Sequence, residues 1–192
     1  IGISLGARFR DQSIRLIWVP RGFCDATDFL TFLAEPAVRA FMDEERRVSE
    51  YQQNHVLMVL EEFNRTHRIS VNETFGVQLP PLAPADFLGF VGSGQASLLH
   101  LGEFIHSRLL PLMEACLVDL RIRYARAEGQ EREHLEALVT QMRELDSEKV
   151  VDEYLRPARN PSLPDPNILP GDPEVANLLG RSPRQLMEKL DR

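Results

Sequence analysis

The stretch LLHLGEFIHSRLLPLMEACLVDLRI, residues 98–122, carries the clearest structural signal in this sequence. Its apolar residues recur at helical spacing, which places them together on one broad face of an α-helix. This face is wide enough to be buried on more than one side. Pro111 is expected to kink the helix, because proline cannot donate the backbone hydrogen bond that a helix interior requires. The stretch therefore predicts a long core helix.

The segments on both sides of this core helix also show helical spacing. On its C-terminal side, Glu128-Gly129-Gln130 either turns the chain into an antiparallel partner helix or continues the same helix. On its N-terminal side, Asp25 or Thr27 can cap a short helix, and Pro36 suits the first turn of a second one. We interpret the charged run at residues 43–47 as a solvated turn. Together these segments predict a mainly α protein, a bundle of about four to five helices.

The two ends of the chain differ from this helical body. Apolar and polar residues alternate before residue 19, and this pattern predicts a short β-hairpin. Six prolines between residues 156 and 173 predict a stiff, extended arm, and short terminal helices follow it. The predicted organisation is a hairpin at 1–24, a helical bundle at 25–155 with a Pro/Gly-rich loop at 76–95, and the arm with its terminal helices at 156–192.

Composition excludes several classes of protein. The 192 residues are 43% hydrophobic and 27% charged, as in a folded globular protein, and the net charge of −7 argues against coating nucleic acid as the main function. Cys24 and Cys116 are too few for a disulfide scaffold and lack metal-ligand spacing. Neither a membrane-length apolar run nor a secretory signal pattern is visible, so we expect a soluble, intracellular protein. The N-x-[ST] sequons at Asn64 and Asn72 are then chance matches.

An enzyme is one alternative that the sequence leaves open. The candidate catalytic residues are His100, Glu103 and His106, which follow a glycine-containing loop at 92–94. The loop has the glycine spacing of a phosphate-binding motif, but Gln95 stands where that motif needs lysine. On a helix, His100 and His106 point to opposite sides, so we predict no metal site and no cofactor. The enzyme hypothesis is a site assembled from dispersed residues near 92–106.

The leading hypothesis is a non-catalytic interaction or assembly subunit. A hairpin leaves strand edges that need pairing or covering, and the arm and its terminal helices carry further apolar residues. These elements are expected to dock in a larger protein complex or a homo-oligomer, although terminal segments also pack on their own chain. The predicted partner-binding residues are Ile14, Leu16, Trp18, Leu163, Ile168, Leu169, Val175, Leu178, Leu179, Leu186 and Leu190.

A third hypothesis concerns the arginines of the N-terminal segment. Arg8, Arg10, Arg15 and Arg21 lie in residues 1–24 against one acidic residue. The guanidinium group is a forked donor that suits phosphate, so these four residues are candidates for binding an anion or nucleic acid. The corresponding function is a nucleic-acid-associated protein or a viral shell component.

Overall fold

A computed structural model describes residues 3–9, 12–18, 22–164, 177–178 and 180–190. Within these residues the chain is mainly helical, so the predicted mainly α class is confirmed. The elements in chain order are β1 (Ile3–Phe9), β2 (Gln12–Trp18), α1 (Ala26–Ala34), α2 (Pro36–Glu62), a π-helical turn (Phe63–His67), α3 (Arg68–Phe75), α4 (Pro84–Val91), α5 (Leu98–Tyr124), α6 (Gly129–Glu144), α7 (Ser147–Val150), a second π-helical turn (Val151–Leu155), a 3₁₀ turn (Pro157–Arg159) and α8 (Pro183–Leu190).

The chain forms two compact units. The first consists of residues 1–52 and 165–192, and the second consists of residues 53–164. This grouping reflects which residues lie close together in space. The division into 1–24, 25–155 and 156–192 reflects composition and periodicity along the sequence, and it stays a prediction.

In the first unit, β1 and β2 pair in antiparallel fashion, with Ile3 opposite Trp18. Ala7 of β1 is buried, whereas Ile17 of β2 is 73% exposed. Helix α8 packs against β1, and its Leu186 is buried. The strands and α8 therefore meet in one small layered structure, although they come from opposite ends of the chain.

The predicted solvated turn at residues 43–47 is wrong, because α2 continues through it without a break. The charged residues of this run stay on the helix, and Arg46 pairs with Asp43 one turn earlier at 3.4 Å. Phe41 and Val48, on either side of the run, are both buried. The run contains neither glycine nor proline, and charge alone does not interrupt the backbone hydrogen bonds of a helix.

Helix α5 is the centre of the second unit, where it packs against α4, α6, α7 and the second π-helical turn. The closest approach is at Gly102, where a Cβ atom would lie 2.7 Å from the carbonyl oxygen of Ser147. Glycine at this position therefore permits the contact between α5 and α7. The largest fully buried side chains of the unit are Leu60, Phe63, Phe75, Leu79, Phe87, Leu101, Phe104, Ile105, Leu109, Leu135 and Leu155.

Residues 79–82, which we call the pinned segment, are held by two asparagine side chains. The Asn64 amide donates to the carbonyl oxygen of Leu82 and accepts from its N–H, both at 2.8 Å. The Asn72 amide pairs in the same way with the backbone of Leu79, at 3.1 and 2.8 Å. The two residues between these leucines are prolines, which have no backbone N–H group. The backbone N–H and carbonyl groups of Leu79 and Leu82 are therefore hydrogen-bonded by side chains. Leu79 and Leu82 are consequently buried.

Candidate functional site

An open groove with a volume of about 910 Å³ lies between α5 and α6 in the second unit. The short connection at residues 125–128 makes the two helices antiparallel neighbours. Much of the lining is apolar, and its members range from fully buried Leu135 to Leu110, which is 43% exposed. The apolar residues along the groove include Leu110, Met113, Leu117, Leu120, Leu135 and Val139.

A hydrogen-bonded cluster ties the two helices together at one end of the groove. The Tyr124 hydroxyl donates to Oε1 of Glu136 at 2.5 Å and accepts from Nε of Arg132 at 2.9 Å. The Arg132 guanidinium also lies 4.6 Å from the centre of the Tyr124 ring. The hydrogen bond with Tyr124 is the main reason that the pKa of Arg132 is raised. The cluster fixes the spacing of α5 and α6 where the chain reverses.

Four charged residues stand among the apolar lining of the groove, and we call them the rim charges. Glu114 and Arg121 belong to α5, and Glu136 and Arg143 belong to α6. Each helix thus presents an acid and an arginine seven residues apart, which is about 10 Å along a helix. Because the helices are antiparallel and Tyr124 contacts Glu136, Arg121 lies within about one turn of the height of Glu136, and Glu114 lies within about one turn of the height of Arg143. The signs of the rim charges therefore alternate around the groove.

Helix α1 in the first unit carries apolar side chains that are exposed or half-buried. Asp25 caps the helix by accepting from the backbone N–H of Asp28 at 2.8 Å. None of the residues of α1 is buried, although most of its sequence, ATDFLTFLA, is apolar. Leu30 is 63% exposed, and the Phe23 ring centre lies 5.0 and 5.2 Å from those of Phe29 and Phe32. We call Phe23, Phe29, Leu30 and Phe32 the α1 apolar cluster.

The candidate catalytic residues are not brought together. Nδ1 of His100 lies 3.1 Å from Ser97 Oγ and 3.1 Å from the carbonyl oxygen of Gln95, so His100 takes part in the start of α5. Glu103 is exposed to solvent, and His106 lines the groove. Among the described residues, no group of three histidine, cysteine, aspartate or glutamate side chains could hold a metal ion.

The predicted partner-binding residues fall in several different environments. Leu16 is half-buried in β2, and Leu163 packs against the core of the second unit. Leu178 and Leu186 are buried in the first unit, so their side chains are already covered within the chain. A role for these residues in partner binding stays a prediction. Ile168, Leu169, Val175 and Leu179 lie outside the described residues, as do the side chains of Ile14, Trp18 and Leu190.

The arginines of the N-terminal segment fall beyond what the structure describes. Arg10 and Arg21 lie outside the described residues, as do the side chains of Arg8 and Arg15. A different arginine of the first unit, Arg181, lies 2.8 Å from Oε2 of Glu44, and its side chain is 17% exposed. This partly buried ion pair joins the segment before α8 to α2.

A buried polar cluster closes the end of the second unit. Asn160 is 2% exposed, and its Nδ2 donates to the carbonyl oxygens of Tyr154 and Arg156 at 2.9 and 3.0 Å. Its Oδ1 lies 3.1 Å from Nε2 of His67 in the first π-helical turn. Burial, with a smaller contribution from Glu153, raises the pKa of Tyr154 to about 12. Because the hydrogen bonds of Asn160 are made within the chain, the cluster is a structural joint.

The sequence-based reasoning missed both apolar surfaces. The face of α5 was recognised as broader than one packing stripe, and that breadth was the available signal for the groove. The signal for the α1 apolar cluster was a helix with few polar residues, since an ordinary surface helix has a polar side. Neither signal tells which apolar residues the chain itself covers.

Comparisons with known proteins assign neither a family nor a function to this chain. No protein-family model matches the chain, and neither a curated protein nor a solved structure is significantly similar to it. A search of the described helices for a segment that is both long and apolar enough to cross a membrane finds none. The functional inference therefore comes from the surfaces and side chains of this chain.

Proposed function

We propose that this chain is a non-catalytic interaction subunit, a mainly helical protein that docks in a larger protein complex or homo-oligomer. The observation that carries the proposal is the α1 apolar cluster, because an apolar helix without a buried residue is unusual in a folded protein. Covering apolar surface is favourable by roughly 25 cal/mol per Å². Leu30 is 63% exposed, and apolar surface that a folded chain leaves exposed is typical of an interaction site when it is contiguous.

The hairpin extends the proposed docking surface. It belongs to the same compact unit as α1, and its Ile17 is 73% exposed. The finer architecture of the proposal is a helical bundle that serves as the body, with the hairpin and the C-terminal arm as attachments. Since Leu178 and Leu186 are buried, we place the main contact on α1 and the hairpin, and we assign the arm the smaller share.

The enzyme and nucleic-acid hypotheses have less support. His100 is engaged at the start of α5, Glu103 faces solvent and His106 lies in the groove, so no catalytic arrangement of the three is visible. A nucleic-acid function would rest on arginine side chains that the structure does not describe, in a chain whose net charge is −7.

Site-specific photo-crosslinking tests the proposal in the cells that produce the chain. A photoreactive residue at Leu30, in the α1 apolar cluster, is expected to give a discrete crosslink to one protein or to a second copy. The matched control carries the same residue at Arg39, an exposed position of α2 in the same unit. The proposal fails if Leu30 gives no discrete crosslink, or if Arg39 gives the same product in the same yield.

A further inference from the structure

The alternating rim charges make the groove face self-complementary. Glu114 and Arg143 lie within about one turn of each other toward one end of the groove, and Arg121 and Glu136 do so toward the other. A two-fold rotation about an axis that lies in this face brings a second copy onto it. Whether the axis runs along the helices or across them, each acid then faces an arginine of the other copy.

We infer that a second copy of this chain occupies the α5–α6 groove and forms a symmetric dimer. The apolar contribution comes from Leu110, which is 43% exposed, and from the half-buried Leu117 and Val139. Leu117 and Val139, which lie between the rim charges of their helices, form the centre of the two-fold arrangement, and Leu110, one turn before Glu114, extends the apolar contact at the edge. An apolar centre with a polar rim is the usual anatomy of a protein interface.

The rim charges are available for contacts between copies. Among the described residues, Glu114, Arg121 and Arg143 form no ion pair and no side-chain hydrogen bond. Glu136 accepts from Tyr124, but a carboxylate has two oxygens and can accept further hydrogen bonds. The dimer gives these three charges ion-pair partners, which none of them has among the described residues.

The two possible axes predict different charge pairs. An axis across the helices pairs Glu114 with Arg121 of the second copy, and Glu136 with its Arg143. An axis along the helices pairs Glu114 with Arg143 of the second copy, and Arg121 with its Glu136. Both arrangements bury the same apolar centre, so charge reversals decide between them.

This inference goes beyond the proposed function, because the groove lies in the second unit and the α1 apolar cluster lies in the first. Light scattering and sedimentation of the full chain provide the first test. The wild-type chain should be a dimer, and Leu110→Glu should weaken dimerisation more than tenfold, which corresponds to more than about 1.4 kcal/mol. A glutamate there would lose the apolar contact with the second copy and would add an acid one turn from Glu114.

Val118→Glu is the matched control for Leu110→Glu. Val118 is also an exposed apolar residue of α5, at 60% exposure, but it does not line the groove. Circular dichroism checks that both variants keep their helix content. A wild-type chain that stays monomeric, or a Val118→Glu chain that dissociates as fully as Leu110→Glu, overturns the inference. Leu30→Glu should leave this dimer intact, which separates the failure of the groove from that of the α1 surface.

Charge reversal supplies the second test and spares the apolar core. Glu114→Arg alone should weaken the dimer, because it places like charges opposite each other for either axis. Adding Arg121→Glu should restore dimerisation if the axis crosses the helices, and adding Arg143→Glu should restore it if the axis runs along them. If neither double variant recovers, or if Glu114→Arg has no effect, the two-fold pairing of the rim charges is refuted.

Discussion

Two short apolar parts of this chain, the pinned segment and α1, differ in what surrounds them. Leu79 and Leu82 of the pinned segment are 1% and 7% exposed, whereas Leu30 of α1 is 63% exposed. A segment without secondary structure is expensive to bury, because its backbone groups lose their hydrogen bonds to water. Asn64 and Asn72 replace those bonds, so burial becomes possible. A helix satisfies its own backbone, yet no residue of α1 is buried. Burial is thus decided by what surrounds a segment, and apolar composition alone does not decide it.

The largest expected effect on stability comes from truncating one leucine in each of these two parts of the chain. Leu79→Ala should lower the free energy of unfolding by about 2–5 kcal/mol, because it removes a fully packed side chain and leaves a cavity. Leu30→Ala should change it by no more than about 0.5 kcal/mol, because the side chain is mostly in water. Urea unfolding of the two variants under dimer-free conditions measures the difference. Equal losses would mean that α1 is covered as thoroughly as the pinned segment.

A smaller effect is expected when one asparagine of the pinned segment is removed. Asn64→Ala leaves the N–H and carbonyl of Leu82 without the Asn64 amide, and we expect a loss of about 1–3 kcal/mol in the free energy of unfolding. Hydrogen exchange of the Leu82 amide should accelerate as well.

Two variants control the asparagine experiment. Asn64→Asp keeps an acceptor for the N–H of Leu82 but loses the donor to its carbonyl, so its loss should be intermediate. Asn54→Ala changes an exposed asparagine of α2, the helix that leads into the π-helical turn of Asn64, and should have no measurable effect. If Asn64→Ala is as stable as Asn54→Ala, the side-chain pairing does not hold the pinned segment.

The smallest effect concerns the pH dependence of stability. The pKa of Tyr154 is about 12 in the folded chain, above the ordinary value of about 10. The folded state therefore favours the neutral phenol, and this contribution is fully present below about pH 10 and is lost as the pH rises through about 12. Relative to Tyr154→Phe, the wild-type chain should lose stability across that window, as urea midpoints at increasing pH would show. Parallel pH profiles for the two proteins would exclude this linkage.

The local features of the fold were accessible from the sequence. Periodicity identified α5, the cap of α1 fell on one of the two predicted residues, Asp25, and Pro36 opens α2 as expected. The charged run at residues 43–47 is helical and not the predicted turn, because solvated side chains do not require the backbone to leave the helix. Intrinsic helix propensity decides whether such a run stays helical, and the run consists mostly of glutamate and arginine, which are good helix formers.

The long-range features could not be derived in the same way. Asn64 and Asn72 drew attention only as chance sequons, whereas in the structure their amides hold a segment up to 18 residues away along the chain. Side-chain pairing of this kind leaves no periodic mark in the sequence. The groove likewise depends on how far apart α5 and α6 lie, which the Tyr124–Glu136 contact fixes and which no helical pattern encodes.

The sequence by itself determined that the chain is mainly helical, that one of two residues caps α1, and which residues are apolar, because helix formation and capping depend on neighbours within a few turns. Only the tertiary structure decided which apolar residues become core. Burial requires a second surface that also satisfies the backbone, and for the pinned segment that surface is supplied by Asn64 and Asn72. The groove and the Leu30 side chain stay exposed for the converse reason, since no described residue fills the groove or buries a residue of α1.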